Sequence, residues 1–586
     1  MLDSEVASKL SESRLRIGYR LVRDLLRFHP RIFAIAVGGA SVYAVCTVAS
    51  SFGVSYLVDR VILPRFETDT INAHVYLIGA AIVIGIGLLR ALGVVIRRSF
   101  AGISNWRTVE SISMLLVRHI MSQPLLWHKK RMTGDLVARV GVDSDAASDV
   151  LGPLPFSTSV VLLVFLTGGW LVVVDIPLGL IAICVIPMLL LVNVGYQRRI
   201  DKHYDSAQHE LGALSSAVHE SFDGVMVVKA FGAEERETRR LSIISTRLKD
   251  ARIRAVSARS TFEALLDGVP SLVNILLLVI GALRVESGSM SVGELTSFIY
   301  LFTLLIFPLR IIGYVLSSVP HSASGYKRVR EILDEPLEQD PQAHVLATVA
   351  NVGVCLQNIT FRFDLDSPDV LSGISLNIDA GKTVVIVGAT GSGKSTLLSV
   401  MAGLLQQSTG QVWIADRSAS IVFQEPFLFS GTIRRNIDMG RQVGNHALDR
   451  ALYLSAADEF VSALDDGVDT VIGERGISLS GGQRQRISLA RAIAQESSVL
   501  LLDDTTSALD TSTESLVIDR LRHTDNIVTT IIVASRPSTI ALADEVIFIE
   551  NGSLSDQGTH PDLMVRNDNY RLLMQSFEQD REQGTL

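Results

Sequence analysis

Cysteine is scarce: Cys46, Cys184 and Cys355 are the three in 586 residues, an odd number scattered along the chain. Such spacing builds neither a disulfide framework nor a cysteine metal site. A basic tail or extended basic run is also missing and the net charge is −8, which excludes nucleic acid as an expected partner. The residues before Arg31 lack the short apolar core and small-residue cleavage site of a signal peptide. Ile17, Leu21, Leu25, Leu26 and Phe28 instead form an apolar stripe with arginines between. That pattern predicts a helix lying at a membrane surface.

Charge is absent from four long runs, Ile32–Val58, Ile71–Leu89, Val150–Val174 and Ile176–Gln197. A bilayer core of ~30 Å needs about 20 apolar residues as helix, so each is long enough to span or nearly so. Two further segments carry charge: Thr261–Leu283 contains Glu263 and Asp267, and Leu295–Val319 contains Arg310. Six spans are predicted, the third and fourth joined by a tight hairpin at Asp175. Arg97, Arg98, Arg107, Arg118, Lys129, Lys130 and Arg131 follow the second span, and Arg198, Arg199, Lys202 and Lys229 follow the fourth. By the positive-inside rule these two long loops, and with them both termini, are cytoplasmic. Their helical patterning predicts that the membrane helices continue into the cytoplasm and turn there.

The expected organisation is therefore an interfacial helix over 1–30, a six-helix membrane domain over 31–336, a polar linker over 337–351 and an α/β domain over 352–586. Within the spans, Arg90, Asp267 and Arg310 each lie 16 residues from a presumed outer end, or ~24 Å inward at 1.5 Å per residue. The favoured expectation is that they snorkel or pair with one another. The alternative is a charged ring that meets the head group of an amphipathic substrate.

The α/β domain carries Gly388-Ala389-Thr390-Gly391-Ser392-Gly393-Lys394-Ser395, which fits G-x4-G-K-[ST]. It follows the apolar strand Thr383–Val387 and precedes a helical stretch, Thr396–Leu405. Glycines admit phosphates to backbone N–H groups, and the helix N-terminus adds a positive dipole end. Lys394 reaches the β- and γ-phosphates in such a loop, and the Ser395 hydroxyl binds Mg²⁺. A second apolar strand, Val499–Asp503, ends in a carboxylate that completes the metal site. ATP and Mg²⁺ are the expected ligands.

Between these motifs stands Leu479-Ser480-Gly481-Gly482-Gln483. With that signature, the chain resembles the ATP-binding cassette (ABC) superfamily, and six spans ahead of one cassette resemble an exporter-type half-transporter. Thr133-Gly134-Asp135-Leu136, Arg139 and Asp143 are similar to the family's first cytoplasmic loop, and Leu211–Gly232 to its second. The resemblance implies that Phe363 stacks on adenine where a tyrosine is usual. It implies that Gln424 contacts Mg²⁺ and water, and that Ser480, Gly481, Gly482 and Gln483 cap ATP on an opposing cassette. Thr396 belongs with the phosphate loop, and Ser507–Asp510 with the loop through which two sites communicate.

Three departures stand out. Asp504 occupies the place of the usual glutamate base and is one methylene shorter; such a base is worth ~10²–10⁴-fold. Ser535 stands where a histidine reaches the γ-phosphate. The segment from Gly410 to Gln424 is shorter than usual. Loss of both hydrolysis-specific groups beside intact binding groups resembles the degenerate subunit of a heterodimeric exporter. This chain's Lys394, Asp503, Asp504 and Ser535 then form a weak site, while its signature completes the site of a second half-transporter bearing Glu and His. The expected role is ATP-driven movement of an amphipathic molecule across the plasma membrane, in contact with lipid. A slow homodimer, an exporter fold used for uptake and a nucleotide-gated regulator are the other readings.

Overall fold

The structure is a computed structural model. It describes residues 18–68, 73–337, 352–364, 366–415, 418–473, 476, 479–505, 509–523 and 528–583. The chain divides into two compact units, Met1–Met121 with Thr133–Pro336, and Ser122–Met132 with Leu337–Leu586.

Among the described residues, six long helices dominate the first unit: α1 (Pro30–Leu57), α2 (Ala73–Met121), α3 (Leu154–Val174), α4 (Ile176–Asp223), α5 (Glu234–Glu286) and α6 (Val292–Leu333). Each overlaps one of the six segments expected from the sequence; Val58 and residues 150–153 fall outside α1 and α3, and Ile71 and Asn72 lie outside the described residues. The 49 residues of α2 extend ~74 Å at 1.5 Å each, far beyond a ~30 Å hydrocarbon core. The membrane helices thus continue as polar extensions. The stretches Pro30–Phe66, Ala73–Met121, Thr133–Val174 and Gly268–Glu286 are long and apolar enough to cross a bilayer. Ile176–Val185 and Val292–Leu305 are shorter apolar stretches among the described residues.

The hairpin between α3 and α4 is as tight as expected, with Asp175 alone between them. Its extended backbone (φ −153°, ψ 121°) breaks the helix, and its carboxylate accepts the Leu178 N–H at 3.0 Å as the α4 cap. The Arg284 Nε, near the end of α5, donates to the same buried carboxylate at 2.5 Å. One residue therefore caps one helix and pins another.

Small residues let α1 and α2 meet closely, as membrane helices require in the absence of a hydrophobic drive. A Cβ on Gly39 would lie 2.8 Å from the Arg97 backbone nitrogen. Arg97 is buried, with its guanidinium 5.0 Å from the Tyr43 ring centre on α1 and 4.3 Å from that of Phe156 on α3. Cation–π contacts of this kind tie three helices together. Arg90, one turn-pair earlier, is half-buried. Asp267 and Arg310 fall on α5 and α6, where their side chains lie outside the described residues, as do residues 1–17 and 338–351.

In the polar part of this unit, Arg328 on α6 donates to the buried Asp143 at 2.7 Å and Arg139 donates to Glu331 at 3.0 Å. Arg139 and Asp143, two residues that carry the family resemblance, thus anchor the first loop segment to α6.

The second unit is built on two sheets. β1 (Val352–Phe361), β2 (Leu371–Asp379) and β4 (Thr409–Ile414) form an antiparallel sheet in the order β2-β1-β4. A six-stranded sheet runs β11-β10-β3-β9-β8-β5, from β3 (Thr383–Val387), β5 (Ala419–Val422), β8 (Val499–Asp503), β9 (Thr529–Val533), β10 (Glu545–Glu550) and β11 (Ser553–Gly558). All its pairings are parallel except β10 with β11. β6 (Gly431–Thr432) and β7 (Val471–Ile472) form a short ribbon. β3, β8 and β9 are buried along their whole length, which is why they read as unbroken apolar runs. Ser122–Met132 packs with this unit: Leu125 and Leu126 lie against its core, and Lys130 pairs with Asp364 at 2.6 Å.

Helix α7 (Lys394–Met401) is shorter than the predicted Thr396–Leu405. Gly403 takes φ +71° and terminates it, since a left-handed glycine closes a helix without a Cβ penalty.

Candidate nucleotide site

Four neighbouring parallel strands, β3, β9, β8 and β5, end on one edge of the large sheet. β3 runs into Gly388, β9 into Ala534 and Ser535, β8 ends at Asp503 before Asp504, and β5 leads to Gln424. The carboxyl ends of parallel strands are the usual place for a ligand crevice. Here they surround a cavity of ≈ 400 Å³, within the range of small-molecule sites.

Of the residues proposed from sequence, Gly388, Thr390, Gly391, Gly393, Lys394, Ser395, Thr396, Gln424, Asp503, Asp504 and Ser535 all line this cavity. Ala389 and Ser392, with Thr390 and Gly391, line an adjoining one of ≈ 370 Å³. Phe363 and Ser480–Gln483 line neither. Phe363 is 39% exposed, its ring edge-on to Phe361 at 5.1 Å.

The phosphate loop needs its glycines for space. A Cβ on Gly388 would sit 2.3 Å from the Ile549 carbonyl oxygen and 2.6 Å from the Ser392 Oγ. Backbone cannot yield there, so Gly388→Ala carries overpacking strain of about 1–3 kcal/mol. ATP affinity is expected to fall about tenfold or more, measured by titration with a fluorescent nucleotide; unchanged affinity would refute this account of the loop. Gly393 (φ +97°) turns the chain into α7.

The Lys394 ammonium donates to the Gly388 and Ala389 carbonyl oxygens at 2.8 and 2.9 Å. Burial pushes its pKa down, and the nearby Asp504 and Asp503 oppose that shift. Asp503 is buried at the end of β8; burial pushes its carboxyl up, against the Ser395 hydrogen bond and the Lys394 charge. The Ser395 hydroxyl donates to Asp503 Oδ1 at 2.8 Å.

Asp504 takes a left-handed backbone (φ +48°), with its N–H donated to the Val533 carbonyl at 3.2 Å. Aspartate tolerates that conformation better than most residues. The Gln424 Nε2 donates to Asp504 Oδ2 at 3.2 Å. Ser535 is exposed at the end of β9. The next residue, Arg536, donates to the Leu509 carbonyl at 2.9 Å and to the buried Glu514 at 2.7 Å. Thr539 also donates to Glu514. This ion pair fixes the Ser535 loop against α9 (Thr511–Arg522). Sequence reading missed it because Glu514 carries no motif and looks like an ordinary surface acid.

Ser480 caps α8 (Gly481–Ile493) in a reciprocal box: its Oγ accepts the Gln483 N–H at 3.2 Å and Gln483 Oε1 accepts the Ser480 N–H at 2.9 Å. Farther along, Gln485 donates to the Phe423 carbonyl at 3.3 Å, tying α8 to the loop that bears Gln424. Ser507 and Ala508 lie outside the described residues, while Asp510 caps α9. Hydrogen bonds from Ser512 and Thr513 hold the Asp510 carboxyl well below the usual range.

These donors fit a magnesium nucleotide. A glycine loop at a helix N-terminus suits phosphate oxygens, and Ser395 with Asp503 offers the hard oxygen pair that Mg²⁺ prefers. The buried Ser392 Oγ has no hydrogen-bond partner among the described residues, an orphan that a phosphate oxygen can satisfy.

Comparison with known proteins agrees with this geometry. Residues 35–309 match the family of the ABC transporter transmembrane region, and residues 371–507 match the ABC transporter family. The ATP-dependent lipid A-core flippase of Idiomarina loihiensis is 29% identical over 88% of this chain and 92% of its own length. A multidrug efflux ATP-binding/permease protein of Mycobacterium bovis is 33% identical over 75% of this chain but 38% of its own. Among solved structures, a bacterial Atm1-family ABC exporter with ATP bound has a TM-score of 0.73 at 24% identity, covering 92% of this chain and 97% of that one; the likeness is one of fold. A helical membrane unit with long polar extensions, continuous with a cassette whose strand ends gather the phosphate loop and its carboxylates, makes this chain a member of the ABC transporter superfamily, in the exporter-type fusion of the two domains.

Proposed function

We propose that the chain is one half of a heterodimeric ABC exporter, driving an amphipathic small molecule, lipid, peptide or drug across the plasma membrane by alternating access. The observation that carries this reading is the mixed character of one cavity. Lys394, Ser395, Asp503 and Gln424 are gathered for binding, while Asp504 and Ser535 stand at the positions of the base and the γ-phosphate histidine. Bound Mg²⁺ would supply charge neutralisation at the terminal phosphates. This chain's residues hold the nucleotide, orient it by the loop glycines and place a short carboxylate at the hydrolytic position. Its signature, on α8, completes the site of a second half-transporter with Glu and His. Relatives named as a lipid A-core flippase and a multidrug efflux protein support an amphipathic cargo.

One observation favours a slow homodimer instead. Gln424 still donates to Asp504, so the shortened acid keeps one partner of the usual arrangement. ATPase measurement separates the two readings, using the chain purified alone and with a half-transporter that carries Glu and His. The heterodimer predicts turnover only for the pair. Robust hydrolysis by the chain alone, lost in Lys394→Ala, would overturn it.

A further inference from the structure

The cavity that gathers the phosphate-loop residues has one wall that no motif supplies. Phe577, on α10 (Asp568–Gln583), lines it together with Ser535 and Asp504. Tyr570, Met574 and Phe577 recur at helical spacing and turn one face of α10 onto the sheet core, where Tyr570 and Met574 are buried. Phe577 is only half-buried, so part of its ring is left to the cavity. The helix is fixed at its start: His560 Nδ1 meets the Tyr570 hydroxyl at 2.6 Å, and the Tyr570 N–H donates to Asn567 Oδ1 at 3.0 Å. The same helix lends Leu572 and Leu573 to the adjoining cavity on the other side of the phosphate loop. It therefore runs along both openings that flank that loop.

An apolar ring at a phosphate cavity offers no hydrogen bond and no charge. What it can do is exclude water and close an exit. Ser535, where a histidine is usual, has the smaller side chain, and Phe577 lines the same cavity. We propose that Phe577 is a positioning residue that retains the triphosphate tail of a nucleotide, its ring closing the Ser535 side of the site against water and against release. This rests on the reading that the cavity holds ATP.

The test uses the full-length chain in nanodiscs with Mg²⁺ and mant-ATP as probe. Phe577→Ala should release mant-ATP about tenfold faster than wild type, an exit effect on off-rates, at an unchanged melting temperature. Phe577→Tyr should restore the slow rate, which a general packing role would not require. Release from Phe577→Ala within twofold of wild type overturns the proposal. Wild-type binding that is absent, or indifferent to Lys394→Ala, sinks the nucleotide reading itself; Lys394-dependent binding indifferent to Phe577 sinks only the retention role. Should Phe577→Ala fail to fold, wild-type protein labelled with an azidoanilide on the γ-phosphate decides. Label in the peptide containing Phe577 supports the wall, and label confined to the phosphate loop overturns it.

Discussion

Asp504→Glu combined with Ser535→His is expected to raise the ATP turnover of the purified chain by about 10²-fold, and Lys394→Ala in that background to abolish it. Reach sets the size of the effect. The Asp504 carboxylate accepts from Gln424 at 3.2 Å, so it points into the cavity, yet it ends one methylene short of the usual base. General-base assistance is worth ~10²–10⁴-fold. The lower end is expected because the backbone at 504 is left-handed (φ +48°), a conformation that costs residues other than Gly, Asn and Asp ~1–2 kcal/mol. An imidazole at 535 adds to the expected gain, since on the proposed reading a histidine there reaches the γ-phosphate and the shorter serine hydroxyl does not. Steady-state ATPase assays check this directly. A change below threefold, with ATP binding intact, would mean that these two positions do not limit hydrolysis.

Gly481→Asp, made in this chain and assayed in a co-purified pair, is expected to lower ATP turnover by about 10²–10³-fold, the cost of spoiling a charge-stabilising contact in the transition state. In the same pair, Asp504→Asn is expected to change turnover by less than about threefold, because a group outside the rate-limiting site contributes little to the measured barrier. The glycine substitution is informative because it is clean. A Cβ at Gly481 meets nothing within 4 Å in this chain, and the box between Ser480 and Gln483 that starts α8 does not use it. A loss is then expected to arise outside this chain's own packing, because on the proposed reading the added carboxylate faces the γ-phosphate of the opposing site. Equal losses from Gly481→Asp and Asp504→Asn would refute the division of labour. The matching Glu→Gln change in the partner should mimic Gly481→Asp.

Much of the fold was legible because its signals are local. Four runs without charge and two apolar segments that carry a few charges located the six long helices, and the single charged residue between two of them, Asp175, marked the hairpin. The strands Thr383–Val387 and Val499–Asp503 are β3 and β8 to the residue, since a strand buried on both faces leaves an unbroken apolar run between polar turns. The end of α7 was misplaced by four residues because apolar periodicity persists through Leu404 and Leu405, while Gly403 breaks the backbone. What the sequence hid is made through space. That β9 lies between β3 and β8, putting Ser535 between the phosphate loop and Asp503, follows from strand order alone. Arg536 with Glu514, Arg97 between Tyr43 and Phe156, and Phe577 at the cavity wall each bring together residues from elements distant in sequence.

The strand order has a temporal consequence. β3 pairs with β9, which begins about 140 residues later. A ribosome adding 5–20 residues per second needs roughly 7–28 s to cover that distance. During that interval the phosphate loop has been synthesised but the strand that seats it has not, and such non-local parallel pairing is slow to form. Nucleotide stabilises only what binds it, by RT ln(1 + [L]/Kd). Cellular ATP therefore steadies the finished cassette and lends nothing to the nascent one, in which β3 stays unpaired on both edges until β9, and then β10, arrive.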